Sequence, residues 1–310
     1  PFRKIWTDAS RDIMKIIIPV AGLGSRFKPI TDNIQKCLLP VGGKPILGHI
    51  IDRLASIDVS ELVLIVGLFG NQVRNYVESL KLNYKITFIE QKQRFGLGHA
   101  ILHGLDDIES SVLILLGDTI IEMDYNIFVD ESSNMVAVDK VDDPTRYGII
   151  ELDNDKISGF IEKPDIPPTD LALVGVYKIN FQSELKKAIE KLIDDDIKTN
   201  KEYQLTDALS LMVNGGADFM FQKVEKNLDC GIPESIININ KYLLSDRSSS
   251  YISPHANIDN SKISNCTIME NCKISNSELN NVIVLNNSII KDKIISDAII
   301  GYDKIFYKQT

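Results

Sequence analysis

From Ile252 onward the chain sets an aliphatic residue at every fifth or sixth position: Ile252, Ile258, Ile263, Ile268, Ile274, Leu279, Val284, Ile289, Ile294 and Ile299, separated mainly by Asn, Ser, Asp and Lys. An α-helix repeats every 3.6 residues and a half-buried strand every second one, so neither keeps this period. The spacing predicts a left-handed parallel β-helix of hexapeptide repeats over 252–310. Each aliphatic side chain would point into a prism, small polar residues would turn the corners, and about three coils of about 18 residues would form. The alternative is an irregular Asn- and Ser-rich β-tail. A Ser-rich stretch over 245–251 reads as a linker before the tail.

Upstream the pattern differs. Short β-rich runs alternate with helical ones: strands at 15–21, 61–67, 85–90 and 112–117, helices at 45–56, 70–81 and 96–105. That rhythm predicts a parallel α/β sheet. The helix beginning at Pro45 carries Ile46, Ile50, Ile51 and Leu54 on one apolar face. After Asp118 the order loosens, with strands at 134–141 and 171–179, a hairpin at 148–162, and helices near 181–194, 203–213 and 233–244. Residues 14–244 thus form one domain, and 1–13, polar and aromatic without an apolar signal core, read as an N-terminal extension.

Composition removes several classes of function. The formal net charge is -9, from 34 Lys and Arg against 43 Asp and Glu, which leaves no basic field for a nucleic acid or an anionic membrane. No apolar run approaches the ~20 residues of a membrane span. The four cysteines, Cys37, Cys230, Cys266 and Cys272, form no CxxC pair, and their low density favours a reducing, cytoplasmic setting. His49, His99, His103 and His255 form no metal-ligand constellation, and His99 reads as a packing or hydrogen-bonding residue near a helix start.

The first strand runs into Val20, Ala21, Gly22, Leu23, Gly24, Ser25 and Arg26, a turn whose backbone N–H groups can wrap phosphate. A dinucleotide fingerprint needs Gly or Ala where Phe27 stands, and a P-loop needs a Gly-Lys-Ser/Thr ending that is absent. Lys36-Cys37-Leu38-Leu39-Pro40 brings a second cation back ten residues after Arg26. Asp118 follows the apolar run Val112–Leu116, at the C-terminal end of a buried parallel strand, where open α/β sheets place ligands. Taken alone it could equally be a turn aspartate. Asp229, in Asn-Leu-Asp-Cys-Gly, could likewise be a turn residue, and Glu162-Lys163-Pro164 the solvated end of a hairpin.

The two segments Gly22-Leu23-Gly24-Ser25-Arg26 and Lys36-Cys37-Leu38-Leu39-Pro40 resemble the signature of the sugar nucleotidyltransferase family, the glucose-1-phosphate thymidylyltransferases and uridylyltransferases. The resemblance continues in order through Gln91, Gly96-Leu97-Gly98-His99-Ala100, Leu116-Gly117-Asp118, Arg146-Tyr147-Gly148, Glu162-Lys163-Pro164, Gln204-Leu205-Thr206-Asp207-Ala208 and Asp229-Cys230-Gly231. It covers about residues 14–244. The resemblance implies an α/β, Rossmann-like nucleotidyltransferase domain with a mixed, mainly parallel sheet ahead of the β-helical tail. It also implies that Ala21, Gly22, Leu23, Gly24, Ser25, Arg26 and Lys36 hold the triphosphate, with Gln91 and the backbone at Gly96 facing a pyrimidine. Asp118 and Asp229 would bind Mg²⁺, and Gly148, Glu162 and Lys163 the sugar 1-phosphate, with Glu162 on hydroxyls and Lys163 on phosphate. Tyr177 lines the sugar pocket or simply packs in its strand.

The expected reaction is in-line attack of a sugar-phosphate oxygen on the α-phosphorus of dTTP or UTP, with Arg26, Lys36 and Lys163 as catalytic cations. The phosphate nucleophile is already ionised near neutral pH, so no general base is required. Glucose 1-phosphate is the family's default acceptor. A rival reading is a catalytically silent, nucleotide-sugar-binding regulatory subunit, which would be expected to have lost one of Arg26, Lys36, Asp118 or Asp229. Hexapeptide β-helices also build acyltransferases, but His255 stands only at the tail's start, which favours an oligomerising role in a homo-oligomer.

Overall fold

The computed structural model describes residues 14–245, 250–301 and 304–308. The expected extension over 1–13 and positions 246–249 of the expected linker lie outside the described residues. The N-terminal half runs β1 (Met14–Pro19), α1 (Ile46–Arg53), β2 (Val59–Val66), α2 (Gly70–Ser79), β3 (Lys85–Glu90), α3 (Leu97–Leu102) and β4 (Val112–Leu115). Then follow β5 (Thr119–Glu122), α4 (Tyr125–Asp130), β6 (Asn134–Lys140), β7 (Gly148–Asp153), β8 (Lys156–Glu162), β9 (Leu171–Ile179), α5 (Gln182–Asp194), α6 (Leu205–Asn214), β10 (Phe219–Lys223), β11 (Lys226–Asp229) and α7 (Pro233–Leu244).

Nine of these strands form one mixed sheet in the order β8-β7-β9-β4-β1-β2-β3, with β6 beside β9 and β10 beside β6. β1 to β4 are mutually parallel, and β9 runs antiparallel to β4, β6 and β7. The central strands are buried on both faces, and successive residues serve two separate cores. Ile16, Ile18, Leu62, Leu64 and Leu113 join one with α1, α2 and α7, whereas Ile17, Val63, Ile65, Val112 and Ile114 join another with α3, α5 and α6. This is why these runs read as continuously apolar rather than alternating.

The strand at 85–90, the hairpin at 148–162, the strand at 171–179 and the helix at 233–244 stand where periodicity puts them. Other boundaries move for identifiable reasons. Pro45 does not open α1, because Lys44–Pro45 pairs with Pro40–Val41 in a short ribbon. α6 starts at Leu205 rather than 203, since the Tyr203 N–H donates to Phe95 O at 2.7 Å and its carbonyl accepts from Gly98 N at 2.9 Å. β5, α4, β10 and β11 have no counterpart in the periodic reading. They are too short to show a period of their own.

The tail is a three-faced parallel β-helix, but its coil is 16 residues rather than 18: Tyr251 pairs with Thr267, Thr267 with Ile283, and Asn257 with Lys273, which pairs with Ile289. The corners explain the shorter coil. Asn260, Asn265, Asn271, Asn276, Asn281, Asn287, Asp292 and Asp297 all take positive φ, a conformation Asn and Asp tolerate, and turn the chain in one residue. They hydrogen-bond from coil to coil: Asn260 Nδ2 donates to Asn276 Oδ1 at 2.7 Å, and Asn276 Nδ2 to Asp292 Oδ1 at 3.2 Å.

The inward set also needs correction. Ile268, Ile274, Leu279 and Val284 point inward as expected, but Ile289 and Ile294 are 54% and 82% exposed. Ile290 and Ile295 occupy the interior instead, in register with Ile274 and Leu279. Ile252, in register with Ile268, is 43% exposed in the first coil. Ile299 is buried outside the prism, where it joins Ile283 and Leu285 in the core shared with α1 and α7. The last strand, Lys304–Lys308, turns back antiparallel on Ile294–Gly301 instead of continuing the winding.

A buried amide fastens the two parts. Asn240 on α7 is fully buried; its Oδ1 accepts from Gly42 N at 3.0 Å and from Thr267 Oγ1 at 2.6 Å, and its Nδ2 donates to Asn265 O at 3.1 Å. No helix among the described residues is long and apolar enough to cross a membrane.

Candidate active site at the end of the parallel strands

The chain leaving β1 crosses the C-terminal ends of the parallel strands, and its shape is fixed from behind. Gly24 takes φ 61°, and a Cβ there would meet Thr31 Cγ2 at 2.9 Å and Lys36 Cβ at 3.0 Å. Thr31 Oγ1 donates to the Gly24 carbonyl at 2.8 Å. Gln35, 5% exposed, donates through Nε2 to Val20 O at 2.6 Å and Gly22 O at 2.8 Å, so one side chain clamps the whole turn. With its carbonyls engaged, the turn keeps N–H groups for an anion.

In front of the turn lies a cavity of about 600 Å³ lined by Ala21, Gly22, Leu23, Gln35, Lys36, Gln91, Arg94, Gly96, Asp118 and Glu202, among others. Next to the lining residues Gly96 and Glu202, the Tyr203 N–H donates to Phe95 O and its carbonyl accepts from Gly98 N. Gly96 must be glycine: it takes φ 119°, and a Cβ would stand 2.7 Å from Tyr203 O. Gln91 lies just after β3, nearly buried, with Nε2 3.1 Å from His99 Nδ1.

A second cavity of about 270 Å³ adjoins it, lined by Arg26, Asp118, Thr119, Arg146, Tyr147, Gly148, Glu162, Lys163, Tyr177, Thr206, Asn227 and Asp229, with Leu97, Leu116 and Asp118 common to both. Glu162 is positioned on two sides: Thr206 Oγ1 donates to it at 3.0 Å, and Lys163 Nζ lies 3.1 Å away. Tyr177 is 4% exposed, packed into the α5–α6 core while reaching the cavity wall, and burial pushes its hydroxyl pKa up.

The carboxylate pair is a product of strand pairing. β5 and β11 form an antiparallel ribbon in which Asp229 sits opposite Thr119, and Cys230 N donates to Asp118 O at 3.0 Å. Asp229 therefore ends a strand rather than standing in a turn. Burial, and then the Asp118 charge, push the Asp229 carboxyl above its ordinary range, while Lys36 and the Gly231 N–H pull it back. Lys36 Nζ meets Asp118 Oδ2 at 2.8 Å. Two carboxylates are thus held together with incomplete compensation, an oxygen-donor set that suits a hard divalent cation.

Of the residues singled out from sequence, Gly24 and Ser25 line neither cavity, and Arg26 lines the smaller one rather than the larger. The others line one cavity or both. Gln35, Arg94, Glu202 and Thr119 were not singled out, and Arg146, Thr206 and Asn227 stood in the quoted motifs without a role. For Asn227 a signal existed: it lies two residues before Asp229, so a strand would put both on one face. Its Oδ1 is buried with no hydrogen-bond partner among the described residues.

Residues 15–246 match the sequence profile of the nucleotidyl transferase family. The chain belongs to that family. It is 34% identical over 239 residues to the bifunctional protein GlmU of Methanococcus vannielii, across 74% of this chain and 55% of the relative, so the chain spans about half the length of these GlmU relatives. It is 29% identical over 230 residues to the UTP–glucose-1-phosphate uridylyltransferase AglF of Haloferax volcanii, covering 71% of this chain and 93% of that protein. A UDP-glucose pyrophosphorylase solved with UDP-glucose superposes with a TM-score of 0.65 at 25% identity, over 76% of this chain and all of the other. The chain shares its domain fold with that structure.

Proposed function

We propose that this nucleotidyltransferase condenses UTP or dTTP with a sugar 1-phosphate, glucose 1-phosphate first among candidates, to give a nucleotide-sugar and pyrophosphate. The observation that carries the reading is the meeting of two cavities at Asp118, one with a phosphate-type turn and Lys36, the other with Arg26, Arg146 and Lys163 around Glu162. The larger cavity takes the nucleotide. Lys36 neutralises charge on the departing pyrophosphate, and Lys163, Arg26 and Arg146 hold the sugar phosphate for in-line attack. Glu162, fixed by Thr206, and Asn227 Oδ1 accept from sugar hydroxyls.

Asp118 and Asp229 fit Mg²⁺ as a resident cofactor. When bound, the ion offsets the negative charge gathered between nucleotide and carboxylates. The sugar-phosphate nucleophile ionises on its own at a pKa of about 6, so the reaction asks for no side-chain base.

The test is pyrophosphate release with Mg²⁺, running the common nucleoside triphosphates against glucose 1-phosphate, other hexose 1-phosphates and N-acetylhexosamine 1-phosphates. Turnover confined to a uracil or thymine nucleotide with one sugar class is the expected pattern. Failure to release pyrophosphate from any pair would refute the reading.

A further inference from the structure

Gln91, the residue expected to meet the base, has an amide that is not free to turn. Its backbone N–H donates to Val66 O at 2.9 Å, and its side chain is enclosed. Nε2 lies 3.1 Å from His99 Nδ1 and 3.5 Å from the Gly96 carbonyl. The Gly96 contact is long, but a carbonyl can only accept. Turning the amide over would set two oxygens against each other, so nitrogen faces Gly96 and His99.

That orientation constrains the imidazole in turn. Gln91 Nε2 can donate to Nδ1 only if Nδ1 holds a lone pair, which makes His99 the neutral tautomer protonated at Nε2. Burial, and then the neighbouring His103, lower the His99 pKa below the ordinary imidazole value. Two edge-to-face contacts hold the ring: Phe95 at a centroid separation of 5.2 Å and His103 at 4.8 Å. All of these groups sit on the segment that walls the larger cavity.

We infer that His99 is a positioning residue for base selection: by accepting from Gln91 Nε2 it leaves Gln91 Oε1 as the group offered to the base. An acceptor there suits uracil and thymine, which present an imino N–H at N3, and opposes cytosine, which presents a lone pair at the same place. His99 itself touches neither substrate. The inference rests on the assignment of the nucleotide to the larger cavity.

Two substitutions separate orientation from packing. His99→Phe keeps a ring between Phe95 and His103 but removes the acceptor, whereas His99→Asn can return an oxygen near the place of Nδ1. The expected outcome is that His99→Phe lowers the UTP-over-CTP ratio of kcat/KM at least about tenfold, through KM, with kcat within about twofold. His99→Asn should restore most of the ratio. In a Gln91→Ala background His99→Phe should add nothing, because the two act as one unit.

An unchanged ratio in His99→Phe, equal loss in His99→Asn, or additive effects in the double variant would each overturn the inference. Calorimetric titration of UTP and CTP reads the same preference without turnover. An active wild-type enzyme whose preference ignores His99 defeats this inference alone; a protein that neither binds nor turns over any nucleoside triphosphate defeats the nucleotidyltransferase reading as well.

Discussion

Lys36 Nζ lies 2.8 Å from Asp118 Oδ2, and that ion pair spans the border between the two cavities of the site. The cation comes from the segment after the first turn and the anion from the end of β4. Their contact joins the segment after the glycine turn to the carboxylate ribbon, and it leaves Asp229 as the carboxylate with less compensation.

Asp118→Asn and Asp229→Asn should each lower kcat by about 10² or more while the fold persists, since the amide removes the charge that would fix the metal. For Asp229 the stability effect has a direction: burial and Asp118 both disfavour its charge, so the Asn variant should melt no lower than the wild type. Turnover at saturating Mg²⁺ together with thermal melting checks both parts, and near-normal turnover would exclude the pair as a metal site.

Asn227 carries a buried acceptor without a partner among the described residues, a state that costs about 1 to 3 kcal/mol when nothing donates to it. Asn227→Ala should therefore leave stability nearly unchanged and raise KM for the sugar 1-phosphate by about tenfold, with KM for the nucleotide unaffected. A variant that shifts the nucleotide KM alone would move Asn227 out of the sugar pocket.

Asn240 bonds the ribbon at Gly42 and two residues of the β-helix while fully buried. Asn240→Ala leaves a buried N–H, a hydroxyl and a carbonyl unpaired, which should cost about 2 to 4 kcal/mol. The midpoint of urea unfolding should fall without two separate transitions, because Ile283, Leu285 and Ile299 already belong to the shared core. Independent unfolding of the tail in this variant would contradict a common core.

His49 is buried, its Nε2 bonded to Val41 O at 2.8 Å, and burial lowers its pKa. The folded protein therefore resists a proton that the unfolded chain accepts near pH 6.5. Above that pH both states are neutral there and stability is flat; below it the unfolded state is favoured and stability falls. His49→Gln should remove part of this acid sensitivity, which melting curves between pH 5 and 7.5 would reveal. An unchanged slope would assign the acid loss to other groups.

Much of the sheet was legible because its signals are local. A strand such as Lys85–Glu90 or Leu171–Ile179 announces itself through a few consecutive residues, and helix Pro233–Leu244 through its proline and apolar spacing. The short ribbon Thr119–Glu122 with Lys226–Asp229 was not, since each strand gains its stability from a partner over a hundred residues away. That same distance hid the placement of Asn227, whose two-residue spacing from Asp229 sets both on one face only once the ribbon exists.

The sequence by itself determined that a glycine-rich turn follows the first strand, that Asp118 comes just after the last of the parallel strands, and that the tail winds with a short aliphatic period. These depend on backbone chemistry within a few residues. Tertiary structure decided what depends on register: the 16-residue coil, the choice of Ile290 and Ile295 over Ile289 and Ile294 for the interior, and the pairing that carries Asp229 to Asp118. A shift of one residue along a strand reverses which face a side chain occupies, and only the packing of neighbouring coils and strands selects between the two.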